Sequence, residues 1–161
     1  MNKVYLLTGG NIGNRQAMLE EAKSYIQKEI GTITASSEIY ETAAWGKPDQ
    51  PSFLNQAFEV TTTLSAREVL NGILSIEARM GRFRQEKFGP RIIDIDILLY
   101  NNVIIDEPGL IVPHAQLTGR RFALTPLAEI ARDYLHPILK ETIGELLLNC
   151  GDELPVKKLE N

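Results

Sequence analysis

The sequence predicts an α+β fold in which helices pack on an antiparallel sheet. Four stretches read as strands from their apolar and β-branched content: residues 3–8, 32–41, 53–63 and 92–100. Two stretches, 15–30 and 65–80, carry apolar residues at helical spacing. Their order, β-α-β-β-α-β, is that of a ferredoxin-like, split βαβ sheet, to which a C-terminal hairpin and helices are appended. The chain of 161 residues suits a single domain, 1–161, with about 152–161 as a loose C-terminal tail.

Each element has a local reason. The run KVYLLT is apolar enough for a first strand, and GGNIGN after it reads as a tight strand-to-helix turn. That turn lacks the Lys-Ser/Thr of a phosphate-binding loop, so it predicts no nucleotide site by itself. Met18, Leu19, Ala22, Tyr25 and Ile26 form one stripe of the first helix, with Asn14 as its N-cap and Gly31 as its stop. Residues 42–52 (TAAWGKPDQPS) hold glycine, prolines and aspartate and predict a long loop, the kind that often carries function. Ser65 and Glu68 form a capping box for the second helix, Leu70, Ile73, Leu74 and Ile76 give it an apolar side, and Gly81 ends it. Asn101-Asn102 turns the chain into 103–105, a short hairpin partner for the strand before it. Residues 121–133 read as helix, and 142–149 as a short final helix with a second capping box, Thr142 and Glu145.

Composition narrows the class of function. A net charge of −4 argues against a general nucleic-acid or membrane-surface binder. With Cys150 as the lone cysteine, no internal disulfide forms, which suits a reducing cytoplasm. No secretory leader and no apolar run of membrane-spanning length is visible in the sequence.

The most informative stretch is residues 81–100, GRFRQEKFGPRIIDIDILLY. Its first half is cationic: Arg82, Arg84, Lys87 and Arg91 surround a Gly-Pro turn. In its second half, Asp94 and Asp96 stand two residues apart in an apolar strand, so both point to one face and Ile93, Ile95 and Ile97 to the other. Paired carboxylates in apolar surroundings repel and lose solvation unless a cation offsets them. A hard divalent ion such as Mg²⁺ takes oxygen ligands and binds substrate phosphates as well. The stretch therefore predicts a carboxylate pair for Mg²⁺ beside an Arg-rich loop for a polyphosphate.

This stretch resembles the signature G-R-x-R…W-G-P-R-x-[LI]-D-[LI]-D-[LI] of the 6-hydroxymethyl-7,8-dihydropterin pyrophosphokinases of the folate pathway. GGNIGN, Tyr40 with Thr42, DQPSFLN, Ile76-Glu77…Gly81-Arg82 and Val112-Pro113-His114 with Arg120 and Phe122 follow the family pattern in order. The resemblance implies transfer of pyrophosphate from ATP to the pterin hydroxymethyl oxygen, with release of AMP and with two Mg²⁺ ions held by Asp94 and Asp96. It implies catalytic roles for Arg82, Arg91, Asp94 and Asp96. It places Glu77, Arg82, Arg84, Lys87, Phe88, Arg91, His114 and Arg120 about ATP. For the pterin it implies a sandwich between Phe53 and Phe122, edge recognition by Asn55, and contacts from Thr42, Ala43 and Trp45. The family usually carries Arg-Trp where Lys87-Phe88 stand, and the loop is one residue shorter here; Lys87 lacks the bidentate grip of arginine. Arg121 offers a substitute cation. The partners implied are ATP and the pterin, with no nucleic acid or membrane, acting on a monomer in the cytoplasm. Two other classes share parts of the pattern: a non-catalytic ferredoxin-like ligand-binding module, and a metal-dependent nucleotidyltransferase that would release pyrophosphate.

Overall fold

The structure, a computed structural model, describes residues 1–43, 49–81 and 92–160. Strand β1 (Asn2–Gly10) leads into helix α1 (Arg15–Glu29), strands β2 (Thr32–Ser36), β3 (Tyr40–Thr42) and β4 (Phe53–Thr62), helix α2 (Ala66–Arg79) and strand β5 (Asp94–Tyr100). There follow a hairpin of β6 (Ile105–Glu107) and β7 (Leu110–Val112), a 3-10 turn at Leu117–Gly119, helices α3 (Arg121–Ala131) and α4 (Ile143–Leu148), and strand β8 (Val156–Lys158). One sheet has the order β5-β1-β4-β3-β8, with β2 also paired to β4, and each of these pairings is antiparallel.

Both faces of the sheet are covered. Val4 and Leu6 of β1 point with Phe58 and Val60 into a core closed by Leu19, Ala22 and Ile26 of α1 and Val69, Ile73 and Ile76 of α2. Tyr5, Leu7 and Ala57 point the other way, onto Leu124, Leu127 and Ala128 of α3 and Ile143 and Leu146 of α4. A strand buried on both faces reads as a continuous apolar run, which is why KVYLLT shows no alternation. The stripe predicted for α1 is buried at Leu19, Ala22 and Ile26, with Met18 and Tyr25 packed partly against the same core. In α2, Leu74 is 44% exposed: it lies off the Val69-Ile73-Ile76 stripe and on the outward side of the helix. The Ser65–Glu68 and Thr142–Glu145 capping boxes and the Asn14 N-cap are all formed.

Several local expectations are revised. Residues 32–41 make two strands, because Ser37 interrupts the ladder: its hydroxyl accepts the Ala57 N–H at 2.9 Å and its carbonyl accepts Gln56 Nε2 at 2.8 Å. Gly9 and Gly10 belong to β1, not to a turn. Gly31 does stand just past the end of α1, which caps at Ile30, as predicted, and a Cβ there would collide with the Thr61 carbonyl. The hairpin partner predicted at 103–105 does not pair with β5. Instead β6 pairs with β7 around Pro108-Gly109, where Gly109 takes a positive φ of 75°. The segment expected to be a loose tail supplies β8, which pairs with β3.

The link between α3 and α4 contains a titratable clasp. His136 is 4% exposed, and its Nδ1 accepts the N–H groups of Ile138 and Leu139 at 3.2 and 3.1 Å. Burial holds its pKa below the usual histidine value, against a smaller upward pull from Glu141. Folding thus favours the neutral ring, as it does at His114, whose pKa is also lowered. This stability is fully present above a pH of about 6.5 and is lost as pH falls through that value toward the lower folded pKa. Urea midpoints measured between about pH 7.5 and pH 5 should fall, and His136→Asn, which keeps an acceptor but does not titrate, should flatten the slope.

Candidate active site

Strand register brings the chemistry to one end of the sheet. Asp94 stands opposite Gly9, Gly9 opposite Asn55 and Asn55 opposite Tyr40, while Asp96 stands opposite Leu7. Opposed residues of antiparallel strands share a face, so Asp94 and Asn55 project together on the side of α3. Thr42 opposite Phe53 forms the next row. Helix α3 begins only at Arg121, so the sheet beyond its first turn is left open. The result is a cleft open to solvent. Leu7, Gly9 and Asn55 form its floor, and Thr42, Ala43 and Phe53 one wall. Asp94 and Asp96 line it from β5, and Arg120 and Phe122 from the start of α3.

The two aspartates face the cleft as the alternation predicts, because Ile95 and Ile97 are buried in the opposite core. Between Leu6 and Tyr5 the register of β5 shifts, since Leu6 opposes Ile97 but Tyr5 opposes Leu99, leaving Leu98 as an extra residue. Leu98 and Leu99 therefore both pack on the α3 side. The Leu98 carbonyl accepts the His114 N–H at 3.0 Å, which ties His114 to the aspartate strand.

Asn55 is 6% exposed and lies across Gly9, where any Cβ would collide with its Nδ2. Its Nδ2 donates to the Thr8 carbonyl at 3.2 Å, while its Oδ1 is buried without a hydrogen-bond partner. Thr42 Oγ1, in the adjacent wall, is also buried and unpartnered. Each such orphan costs about 1–3 kcal/mol, and in native proteins it calls for a ligand or ordered water. Gly9→Ala should push the Asn55 amide out of place and raise the KM for the ligand of this cleft by about tenfold or more, with the fold retained on thermal melting.

Arg120 and His114 sit beside the carboxylates. The Arg120 guanidinium lies 5.5 Å from the Phe122 ring centroid. Burial, then the charge of Arg120, pushes the His114 pKa down, and Asp94 opposes this. With Nδ1 of His114 accepting the Gln116 N–H at 3.1 Å, the neutral ring presents Nε2–H as a donor. A second, more open cleft runs along Leu70, Ile97, Leu110 and Ile111 to His114 and Gln116, and Asp96 lines it as well as the first. Glu77 is 4% exposed and its Oε2 accepts the Ile95 N–H at 2.8 Å, which fixes the backbone between the two aspartates.

The structure thus gathers Thr42, Ala43, Phe53, Asn55, Asp94, Asp96, Arg120 and Phe122 around one cleft, with His114 at the adjoining one. Arg82, Arg84, Lys87, Phe88, Arg91 and Trp45 lie outside the described residues. Arg121 is not turned to the cleft; its guanidinium donates to the carbonyls of Asp152 and Cys150. Sequence reasoning missed Gly9, whose signal was a glycine pair that the register keeps in the strand, and Leu7 on the cleft floor.

A slot with aromatic walls and unpaired polar atoms, beside a carboxylate pair and an arginine, is the equipment of a transferase that joins a flat polar heterocycle to a polyphosphate. The chain belongs to the family described as 7,8-dihydro-6-hydroxymethylpterin-pyrophosphokinase (HPPK), which matches residues 5–132. It is 42% identical over 148 residues to the 2-amino-4-hydroxy-6-hydroxymethyldihydropteridine pyrophosphokinase of Methylorubrum extorquens, covering 91% of this chain and 92% of that one. It is also 42% identical over 132 residues to the Bacillus subtilis protein of the same name, covering 81% and 79%. Among solved structures, wild-type Plasmodium falciparum HPPK-DHPS with SDX-DHP superposes with a TM-score of 0.73 at 20% identity. That match covers 92% of this chain but only 43% of the longer Plasmodium chain, and it speaks to the fold.

Proposed function

We propose that this chain transfers pyrophosphate from ATP to the hydroxymethyl group of 6-hydroxymethyl-7,8-dihydropterin, releasing AMP, as a step of tetrahydrofolate biosynthesis. The observation that carries the reading is the pair of buried, unpartnered atoms, Asn55 Oδ1 and Thr42 Oγ1, set in a cleft that also holds Phe53, Phe122 and both aspartates. A pterin is flat and has a donor–acceptor edge. Phe53 and Phe122 supply stacking surface, Asn55 supplies both an acceptor and a donor, and Thr42, Ala43 and Trp45 complete the edge.

In the reaction, the hydroxymethyl oxygen attacks the β-phosphorus of ATP, the bond from that phosphorus to the α–β bridging oxygen breaks, and the proton of the hydroxyl leaves. Asp94 and Asp96 would hold Mg²⁺, two ions in this reading. Their donor set fits: Asp94 and Asp96 line one cleft, and Mg²⁺ keeps waters and phosphate oxygens beside one or two carboxylates. When bound, the ion would supply charge neutralisation to the triphosphate. His114 Nε2–H and Arg120 donate to phosphate oxygens, and the apolar second cleft takes the nucleoside. Arg82, Arg84, Lys87, Phe88 and Arg91 complete the phosphate site on the strength of the sequence signature. Glu77 serves the nucleotide side through the strand it anchors.

The architecture supports a ferredoxin-like reading of the core. The order β5-β1-β4-β3 is what a split βαβ gives once its second strand is broken at Ser37. We take the chain as one domain, acting as a monomer on small molecules in the cytoplasm, a reading consistent with its net charge of −4. Among the described residues no helix is long and apolar enough to cross a membrane. The test is an AMP-release assay with ATP, Mg²⁺ and the pterin. AMP formed only when pterin is present is the expected result; release of pyrophosphate in its place, or no pterin-dependent AMP, would overturn the reading.

A further inference from the structure

Residues 150–159 touch both walls of the pterin cleft without lining it. On one side stands Asp152, 9% exposed. Its Oδ2 accepts the backbone N–H of Arg121 at 3.1 Å, and its Oδ1 accepts the N–H of Leu154 at 3.0 Å. The Arg121 side chain answers, with Nε donating to the Asp152 carbonyl at 2.9 Å and Nη2 to the Cys150 carbonyl at 3.2 Å. Arg121 opens α3, and its neighbours Arg120 and Phe122 both line the cleft. A buried carboxylate on the first N–H of a helix fixes where that helix begins and is favoured there by the helix dipole.

On the other side is β3, the strand that ends in Thr42. It is three residues long, and its pairing with β8 sets Val156 opposite Thr42 and Lys158 opposite Tyr40. The Leu159 N–H then donates to the Ile39 carbonyl at 2.8 Å, and the Leu159 side chain packs on the main core. Tyr40 reaches back across the gap, its hydroxyl donating to Glu129 of α3 at 2.6 Å; burial, then this bond, pushes the tyrosine pKa up to about 12. One continuous run of chain thus ties the first turn of α3, which carries Phe122, to the strand that carries Thr42.

We propose that this run is a strap that sets the separation of the pterin-facing walls, with Asp152 as its positioning residue. The proposal rests on the pterin assignment made above. The strap should serve the pterin and not the nucleotide, because its bonds run to Arg121 and β3 beside the first cleft and none of its residues lines the second. Arg120 is held separately, through its own N–H on the Leu117 carbonyl at 3.3 Å.

The experiment uses the full chain and reads KM for pterin and for ATP from pterin-dependent AMP release. Two variants are compared with the unsubstituted protein: Asp152→Asn, which leaves one acceptor where two are needed, and Arg121→Met, which removes both side-chain bonds to the strap. Thermal melting checks that each is folded, and if Asp152→Asn is not, Arg121→Met decides. The expected result is a pterin KM raised about tenfold with an ATP KM changed by less than about twofold. An equal rise in both constants, or no rise in either, overturns the strap while leaving the pterin site standing. Absence of pterin-dependent AMP from the unsubstituted protein overturns both.

Discussion

Asp96→Ala is expected to lower pterin-dependent AMP release by on the order of 10³ or more, with Asp94→Ala close behind. Asp96 is the side chain that lines both clefts, so it stands where the phosphates would pass from the nucleotide side to the pterin side. On the reading proposed above, its loss would remove a ligand for the divalent ion and leave the negative charge of the triphosphate without an offset at the reacting phosphorus. The fold should survive, because Asp96 is only partly buried and the packing of β5 comes from Ile95, Ile97, Leu98 and Leu99. Initial rates over a Mg²⁺ titration check the prediction. A rate within about tenfold of the unsubstituted protein would remove the metal assignment.

The second large effect concerns recognition. Asn55→Leu should raise the pterin KM by about 100-fold, with the ATP KM nearly unchanged, because both faces of an edge-reading amide are lost at once. Thr42→Val probes the neighbouring orphan with the opposite sign in stability. Its hydroxyl is buried without a partner, so the near-isosteric apolar side chain should stabilise the ligand-free protein by about 1 kcal/mol while weakening the cleft. Calorimetry with and without pterin separates the two. If the ligand-free melting temperature does not rise, the hydroxyl is satisfied in solution.

What could be read from the sequence was what is decided locally. The Ser65–Glu68 box closes over three residues, with both of its bonds formed at 2.9 and 3.2 Å, and sequence spacing alone announces it. The facing of Asp94 and Asp96 follows from strand periodicity over the same short span. Most of the misreadings turn on distant partners. Gly9 stays in a strand because Asn55 lies across it, and nothing near Gly9 in the chain says so. The break at Ser37 depends on bonds to Gln56 and Ala57. Strand β8 exists because β3 offers it a ladder from more than a hundred residues away, although Val156-Lys157-Lys158 has no strand signal of its own. The Pro108-Gly109 turn was a local signal left unread, outweighed by the Asn101-Asn102 pair just before it.

The fixings of β5 have a consequence for how copies of this protein meet. β5 is an outermost strand, and such a strand offers unpaired amide and carbonyl groups on which another chain can add. Here the Ile95 amide is already taken by Glu77, the Leu98 carbonyl by His114, and the extra residue at Leu98 breaks the even spacing a partner would need. The opposite border, β8, is three residues long and ends in Lys157 and Lys158, whose charges would repel the same border of a second copy. The contacts that hold the aspartate strand in place therefore also deny this edge of the sheet a template for growth, so a variant that loses Glu77 should become prone to self-association as well as slow.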